Sequence, residues 1–349
     1  MKELDLSSYR KVNESFSRKM VCRIGIDCGF FTEMNYMVNA MLYCLDHRVK
    51  FLLYSEDANF ATGVGWTEYF QPFCEEVHER FHRKYNFHKM PSWKQIINGC
   101  RKQKSMNLIL WKLKLMLRTI IGRLITFWTY RECVLLSQDV SVDTDRHYIV
   151  SELEINGSYH EVFALLTRMI WKFQPEILYQ KQKYIDLLSL PTLYNGIHIR
   201  DGDKISEAKL IGGTQIMQLL PPKNNLCVFV LTDDYRQFQE LQIKYPTIQF
   251  LTLCQPEERG YNHKTFCQMP PESRKEAIIR LMISVDFLLS SHAFVGSITT
   301  GPNIFVMKLR VNDSLVRAVD CNKENLEASL SLSIDARSKI SKHNMQRKS

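Results

Sequence analysis

The pattern of hydrophobic and polar positions begins with a strand-helix-strand unit. The run CRIGID at residues 22–27 is apolar enough for a buried strand, and Gly29 then breaks it. Apolar residues next recur at helical spacing, and they are Met34, Met37, Val38, Met41, Leu42 and Leu45. The run VKFLLYS at residues 49–55 predicts the following strand. A strand, a glycine break, a helix and a strand in this order predict the opening of a parallel α/β sheet.

A second series of strands and helices begins near Tyr194. Strands are predicted at YNGIHIR, CVFVLT, IQFLTL and HAFVGS, with helices between them. This restart predicts a boundary between an N-terminal domain, residues 1–190, and a C-terminal domain, residues 191–335. The polar, basic tail at residues 336–349 is predicted to be disordered.

The composition is that of an ordinary globular protein, and 349 residues are enough for two domains. None of the ten cysteines forms a C-x-x-C pair, and several lie in apolar runs. We therefore expect buried thiols in a reducing cytoplasm rather than a metal or redox centre. No uncharged apolar run approaches the roughly 20 residues that span a bilayer. The expected location is cytoplasmic, with the protein soluble or peripheral on the inner face of the membrane.

The net charge of +9 is concentrated in one segment. Between Arg80 and Arg131 there are thirteen Lys or Arg residues and no Asp or Glu, so the rest of the chain sums to 9 − 13 = −4. Residues 90–131 are predicted to be helical. Their apolar face could enter the core while the basic face is solvated. Alternatively, the surface formed by residues 101–123 could contact a membrane or a lipid pyrophosphate. Nucleic-acid binding is disfavoured, because no recognition motif accompanies the charge.

Three predicted strands of the second series end in side chains that can carry chemistry. After the first strand come His198, Arg200, Asp201, Asp203, Lys204 and Glu207. An Arg at such a strand end can grip a diphosphate through paired charge-assisted hydrogen bonds. Asp233 and Asp234 end the second strand, where they can accept from a ribose, a base edge or a cation, or cap the next helix. The loop SITTG, with Thr299 and Thr300, can cradle phosphate with hydroxyls and amides.

Together these motifs resemble those of the GDP-fucose fucosyltransferases, most closely the α1,6-fucosyltransferases of glycosyltransferase family 23. HIRDGDK followed by Glu207 is similar to the family's H-x-R-R-x-D-K and Glu, and LTDD…IKYP is similar to its second motif. Asp286, HAFV and SITTG are similar to its third region, and the order agrees over residues 194–306. The resemblance implies an α/β fold of the GT-B type, with two Rossmann-like domains facing across a cleft.

The resemblance also implies a reaction, the inverting transfer of fucose from GDP-fucose to a glycan hydroxyl, with an α1,6 linkage favoured. Arg200 would stabilise the charge on the departing GDP. Glu207 is the first candidate for the base and Asp203 the second, while Lys204 would orient the base or offset charge. His198 and Asp286 would contact the nucleoside, Asp286 by accepting from guanine N–H groups. The predicted donor site comprises His198, Arg200, Asp233, Asp234, Asp286, Thr299, Thr300 and Gly29.

Two alternatives stay open. Asp201 stands where the family has a second Arg, and the gap from Lys204 to Glu207 is one residue short. A non-catalytic protein of the same fold that binds a nucleotide-sugar or glycan would tolerate these departures. The other alternative is a metal-dependent transferase with a D-x-D site at Asp143 and Asp145. The preferred interpretation needs no metal or other cofactor. Its expected partners are a GDP-sugar, an oligosaccharide or lipid-linked glycan acceptor and an anionic membrane surface, without nucleic acid.

Overall fold

The computed structural model describes residues 3–25, 29–86, 106–131, 140, 142–200, 212–221, 227–332 and 334–347. The chain divides into two compact units, Met1–Gly157 and Ser158–Ser349. The division therefore falls before the predicted boundary at residue 190. The reason is that the helix after Ser158 packs within the second unit, where the Arg168 guanidinium donates to the Leu309 carbonyl.

The first unit contains a parallel sheet with strand order β1-β2-β3. Its strands are β1 (Arg18–Arg23), β2 (Val49–Tyr54) and β3 (Glu75–Glu76), and its other strands are β4 (His147–Val150) and β5 (Ile155–Ser158). Its helices are α1 (Leu6–Ser15), α2 (Phe30–Asp46), α3 (Arg80–Tyr85) and α4 (Met106–Tyr130). The predicted apolar face of α2 is buried, as expected. Strand β1 begins earlier than the apolar run, because Arg18 pairs in register with Val49.

The second unit contains a sheet in which all strands are parallel, in the order β10-β9-β6-β7-β8. Its strands are β6 (Asn195–Ile199), β7 (Cys227–Thr232), β8 (Gln249–Leu251), β9 (Phe294–Gly296) and β10 (Val316–Ala318). Its helices are α5 (Tyr159–Ile170), α6 (Pro175–Leu188), α7 (Gly213–Met217), α8 (Tyr235–Lys244), α9 (His263–Gln268), α10 (Pro271–Ser290), α11 (Gly301–Leu309), α12 (Leu326–Ser331) and α13 (Ile334–Arg347). Strands β7 and β8 follow β6 in the sequence and lie on one side of it in the sheet. Strands β9 and β10 come later in the sequence and lie on the other side of β6.

The predicted α/β class with parallel sheets is confirmed in both units. In the second unit the sheet is covered by an apolar core that includes Ile197, Val230 and Val295, with Phe238 from α8 and Ile216 from α7. A strand that is buried on both faces reads as a continuous apolar run, which is why CVFVLT could be recognised from the sequence.

The predicted disorder of the tail 336–349 is wrong for the residues that the structure describes there. Helix α13 covers most of this segment, and its Arg337 and Ser341 are buried. The Arg337 guanidinium donates to the Leu330 carbonyl, and the Asn344 amide donates to the Asp320 carbonyl at 3.0 Å. These hydrogen bonds hold the described part of this polar segment against the rest of the unit.

Helix α4 differs from the predicted arrangement in which its apolar face enters the core. Its described apolar side chains are largely exposed, and they include Leu117, Leu124, Phe127 and Trp128. What α4 buries instead is the side that carries Gly122 and Thr126. In the part of the chain that the structure describes, no helix combines the length and apolarity needed to cross a membrane.

Candidate functional site

The candidate site lies at the carboxyl ends of β6, β7 and β9. The strand order reverses between β6 and β9, and in open α/β sheets the crevice at this reversal is where ligands bind. Arg200 directly follows β6, Asp233 follows β7, and Ser297 begins the loop after β9. Because parallel strands end at the same edge of a sheet, the three predicted motifs meet there.

Among the residues that the structure describes, Asp233 and Tyr261 hold the side chain of Arg200. Its Nη1 donates to Asp233 Oδ2 at 2.6 Å, and its guanidinium carbon lies 4.7 Å from the centre of the Tyr261 ring. The Arg200 side chain is only 19% exposed, so both contacts operate in a partly desolvated setting. A guanidinium held by a carboxylate and a ring presents its fork in one orientation, which favours paired hydrogen bonds to two oxygens of an anionic group.

The loop before α9 places Tyr261 over Arg200. Asp233 accepts from the Gly260 amide through its backbone carbonyl at 2.8 Å and from the Tyr261 amide through Oδ2 at 2.8 Å. Gly260 has φ +96°, a conformation that side chains other than glycine rarely adopt. Tyr261 was not among the predicted site residues, since a tyrosine in a polar loop carries no signal in a single sequence.

His198, the fourth residue of β6, is buried beside the start of α11. Its Nδ1 lies 2.6 Å from Asn303 Oδ1 and 3.5 Å from Thr300 Oγ1. Burial lowers the pKa of His198 to about 4, so the imidazole is neutral at pH 7. Because Oδ1 can only accept, Nδ1 carries the proton, and Nε2 keeps a lone pair that can accept a hydrogen bond. Asn303 is a second residue that sequence reasoning missed.

The loop between β9 and α11 is held in place by Asp320. Its Oδ2 accepts from the Ser297 hydroxyl at 2.6 Å, and its Oδ1 accepts from the Ile298 amide at 3.0 Å. The Ser297 and Thr299 hydroxyls lie 2.7 Å apart. Thr300 is the N-cap of α11, and its side chain makes no capping hydrogen bond. The loop is therefore rigid, and the first amides of α11 lack intrahelical partners.

Asp234 and Asp286, two of the predicted donor-site residues, have other partners. Asp234 caps α8 by accepting from the Arg236 amide at 2.9 Å, and it also pairs with the Arg236 guanidinium. Asp286 accepts from Trp171 Nε1 at 2.9 Å and pairs with Lys181 Nζ at 2.6 Å. Capping was the alternative that the sequence left open for Asp234.

Asp286 also lies at the wrong edge of the sheet for donor binding. Tyr194, just before β6, donates its hydroxyl to the carbonyl of Phe287 at 2.8 Å, so this part of α10 adjoins the amino end of the strand. Arg200 lies at the carboxyl end, roughly 16 Å away along a five-residue strand. The predicted contact between Asp286 and the guanine is thus wrong in this structure. The cause is that α10 runs back from the carboxyl edge before Asp286 is reached.

Asp201, Asp203, Lys204 and Glu207 lie outside the described residues. Gly29 belongs to the first unit and is the N-cap of α2, and a Cβ added there would meet nothing within 4 Å.

The proposed D-x-D residues form a local turn. The Asp145 amide donates to Asp143 Oδ1 at 3.0 Å, and both residues are exposed. Among the described residues, no group of three or more His, Cys, Asp or Glu side chains is arranged to hold a metal ion.

The described part of the site is suited to a phosphate-bearing ligand. It brings together the fixed Arg200 guanidinium, a neutral His198, the hydroxyls of Thr299 and Thr300, and the positive end of α11. Among the predicted acids that the structure describes, Asp233 lies against Arg200, and its contact orients the guanidinium.

No protein-family model and no curated protein sequence matches the chain. Among solved structures, the chain is similar to the fucosyltransferase NodZ from Bradyrhizobium, with 13% identity, coverage of 86% of this chain and 93% of that chain, and a TM-score of 0.47. It is also similar to a mutant of Arabidopsis thaliana FUT1 in complex with GDP, with 14% identity, coverage of 87% and 73%, and a TM-score of 0.48. A third is POFUT1 in complex with GDP, with 12% identity, coverage of 87% and 99%, and a TM-score of 0.42. These solved structures are of GDP-fucose fucosyltransferases, the class that the sequence motifs resemble.

Proposed function

We propose that this protein is a glycosyltransferase that moves fucose from GDP-fucose to the hydroxyl of a glycan. The observation that carries the proposal is Arg200, which Asp233 and Tyr261 hold at the point where the strand order reverses, beside the hydroxyl-rich start of α11. An oriented guanidinium and a helix N-terminus suit the phosphates of a nucleoside diphosphate.

The proposed reaction is a direct displacement with inversion at the sugar. The acceptor oxygen forms a bond to C1 of fucose as the bond from C1 to the β-phosphate oxygen breaks, and the electron pair leaves with GDP. Arg200 stabilises the charge that develops on the β-phosphate, with help from the Thr299 and Thr300 hydroxyls. A carboxylate takes the acceptor proton, and Glu207 is our first choice, with Asp203 as the second. Lys204 would offset the charge of that base.

His198 is proposed to contact the nucleoside portion of the donor. Its neutral imidazole donates from Nδ1 to Asn303, which leaves the Nε2 lone pair for a hydroxyl donor such as a ribose. The proposed donor site does not include Asp286, because that carboxylate pairs with Lys181 and Trp171 at the other edge of the sheet.

The proposed chemistry assigns the charge-neutralising role to Arg200 and the helix end rather than to a metal. The acceptor is proposed to be an oligosaccharide or a lipid-linked glycan, with an α1,6 linkage favoured. A cytoplasmic location is also proposed, and it is supported by the cysteines that the structure describes, because none of them is bridged.

The donor assignment is tested by thermal-shift titration with GDP-fucose, GDP, UDP and ADP. A ligand at 100 times its Kd adds about 2.7 kcal/mol to the free energy of unfolding, so GDP and GDP-fucose should raise the Tm measurably. UDP and ADP should raise it less at equal concentration. A shift with UDP-sugars and none with GDP would overturn the assignment.

A non-catalytic binder remains the second candidate, because Asp201 replaces an Arg of the family motif. Measuring GDP release from GDP-fucose with and without glycan acceptors separates the two. Acceptor-dependent release supports the enzyme. Tight GDP binding without release across an acceptor series would support the binder.

A further inference from the structure

Helix α4 is anchored to the first unit by its polar side. Gly122 packs against Tyr85 of α3, and the buried Arg23 guanidinium of β1 donates to the hydroxyl of Thr126. The ring hydroxyl of Tyr130 lies 2.9 Å from His82 Nε2. Small and polar residues therefore form the docked face, which reverses the arrangement of an ordinary amphipathic helix.

The apolar side of α4 points outward along most of its length. Its exposed large apolar residues recur at steps of three and four, and they are Leu110, Leu113, Met116, Leu117, Ile120, Ile121, Leu124, Phe127 and Trp128. We call this set the α4 apolar stripe. Trp128 is 79% exposed at the end of the stripe. Exposed patches of this kind on a soluble domain mark contact surfaces.

Positive charge borders the α4 apolar stripe on both sides. By helical geometry Lys114 and Arg118 lie along one border and Arg123 along the other, and all three are exposed. The surrounding sequence from Arg80 to Arg131 contains no acid to neutralise them. An apolar stripe between basic borders matches the layers of an anionic bilayer surface, where acyl chains lie beneath negative headgroups.

We infer that α4 is a membrane-docking helix that lies in the plane of an anionic bilayer surface, with the α4 apolar stripe inserted at the boundary of headgroups and acyl chains. A free anionic ligand would account for the basic borders but leave the stripe exposed, and a neutral apolar partner would leave the charge unmatched. The inference does not rest on the donor site, which lies in the other unit of the chain.

The test is flotation of the full-length protein with vesicles of phosphatidylcholine, alone or mixed with phosphatidylserine, at low and high salt. We expect binding to the mixed vesicles at low salt and its loss at high salt, because salt screens the basic borders. If at low salt the protein stays in the bottom fraction to the same extent with anionic vesicles as with neutral vesicles, the inference is overturned.

Matched variants distinguish insertion of the α4 apolar stripe from non-specific adsorption of the protein to vesicles. Trp128→Ala should weaken binding about tenfold, because it removes a large apolar side chain from the inserted face. Ile243→Ala is the control, since Ile243 is 81% exposed on α8 in the other unit. Lys114→Gln should weaken binding about fivefold. Lys323→Gln is the control for charge, because Lys323 is exposed and lies in the other unit, and this variant should bind like the wild type. Equal effects of Trp128→Ala and Ile243→Ala would overturn the assignment to α4.

A second copy of the chain is the main competing occupant of the stripe. Sedimentation velocity at increasing concentration tests it. If the protein dimerises, and Trp128→Ala abolishes the dimer without changing vesicle binding, the stripe is a protein interface and the inference fails. If the protein stays monomeric and Trp128→Ala lowers vesicle binding, the inference stands. Circular dichroism melts of each variant establish that the comparison is between folded proteins.

Discussion

At the scale of single residues, Arg200 is the group on which the proposed chemistry depends most. Its described contacts include a hydrogen-bonded pair with Asp233 and a cation–π contact over the Tyr261 ring. Lysine could keep a charge near Asp233, but it lacks the planar fork that stacks on a ring and matches two phosphate oxygens. The position therefore demands arginine for geometry as well as for charge.

We expect Arg200→Lys to lower kcat by about 10²- to 10³-fold while the Tm changes little, because one preorganised donor to a developing charge contributes on this scale. Arg236→Lys is the matched control, since Arg236 pairs with the neighbouring Asp234 and is 61% exposed. That variant should keep its activity. Near-normal turnover of Arg200→Lys would remove Arg200 from the proposed mechanism.

Asp286 should behave as a structural residue. Asp286→Ala leaves the part-buried Trp171 N–H without its acceptor, so the free energy of unfolding should fall by about 1–2 kcal/mol. Affinity for GDP should be unchanged, because Asp286 lies at the amino edge of the sheet. Urea unfolding and calorimetric GDP titration measure the two quantities. A large loss of GDP affinity in a variant that remains folded would return Asp286 to the donor site.

At the scale of secondary-structure elements, a buried polar chain joins β1, α3 and α4. Arg23 Nε donates to His82 Nδ1 at 3.0 Å, His82 Nε2 lies 2.9 Å from the Tyr130 hydroxyl, and that hydroxyl donates to Glu79 at 2.6 Å. Since Arg23 can only donate, the proton of His82 sits on Nε2. A doubly protonated His82 would offer Arg23 no acceptor. This series of hydrogen bonds therefore requires the neutral imidazole.

This requirement predicts a loss of stability in mild acid. Burial lowers the pKa of His82 to about 4 from an ordinary value near 6.5, and the nearby Arg23 charge acts in the same direction. Between these values the unfolded chain binds a proton that the folded chain does not. The contribution of the neutral His82 to the free energy of unfolding is therefore fully present above about pH 6.5, and it is lost as the pH falls toward 4. Burial of His198 acts with the same sign.

We expect the free energy of unfolding to fall between pH 7 and 5, with His82 contributing at most about 1.4 kcal/mol per pH unit. In His82→Gln the fall should be smaller, although the variant starts from a lower stability. His147→Gln, at an exposed position on β4, is the control and should follow the wild-type pH profile. Urea titrations at several pH values give these slopes. An unchanged slope in His82→Gln would mean that the pKa of His82 is the same in the folded and the unfolded protein.

The contact between α3 and α4 depends on Gly122. A Cβ at this position would lie 2.7 Å from Tyr85 Cβ and 2.9 Å from Tyr85 Cγ. Alanine is favoured over glycine in a helix by about 1 kcal/mol, but overpacking costs typically about 1–3 kcal/mol. We expect Gly122→Ala to lower the Tm and the hydrogen-exchange protection of α4. Thr129→Ala, exposed on the same helix, should not. Equal stability of the two variants would show that α4 can move away from Tyr85 at no cost.

At the scale of the whole molecule, the sequence predicts the second unit better than the first. Strands β6, β7 and β9 are buried along their whole length and read as apolar runs, and the residues that follow them, Arg200, Asp233 and Ser297, lie at one edge of the sheet. Packing between distant elements was not predictable. The partners of Asp286 are Trp171, which follows α5, and Lys181 of α6, and Tyr261 reaches Arg200 through a loop whose shape depends on Gly260. The outward face of α4 reads like a core face, because periodicity shows that a side is apolar and not what it contacts.

The last prediction concerns metal and tests the whole proposed reaction. If Arg200 and the start of α11 neutralise the departing diphosphate, transfer should persist in EDTA at a rate within about twofold of the untreated enzyme. Asp145→Asn supplies an independent arm, because Asp145 is exposed in a turn before β4 and should be dispensable under this mechanism. Fucose transfer is measured for both, with and without added Mn²⁺, alongside GDP affinity to show that the donor still binds. Loss of transfer in EDTA that Mn²⁺ restores, together with loss in Asp145→Asn, would move the chemistry to the D-x-D alternative. Retained transfer in both arms would leave Arg200 as the group that carries the charge of the leaving GDP.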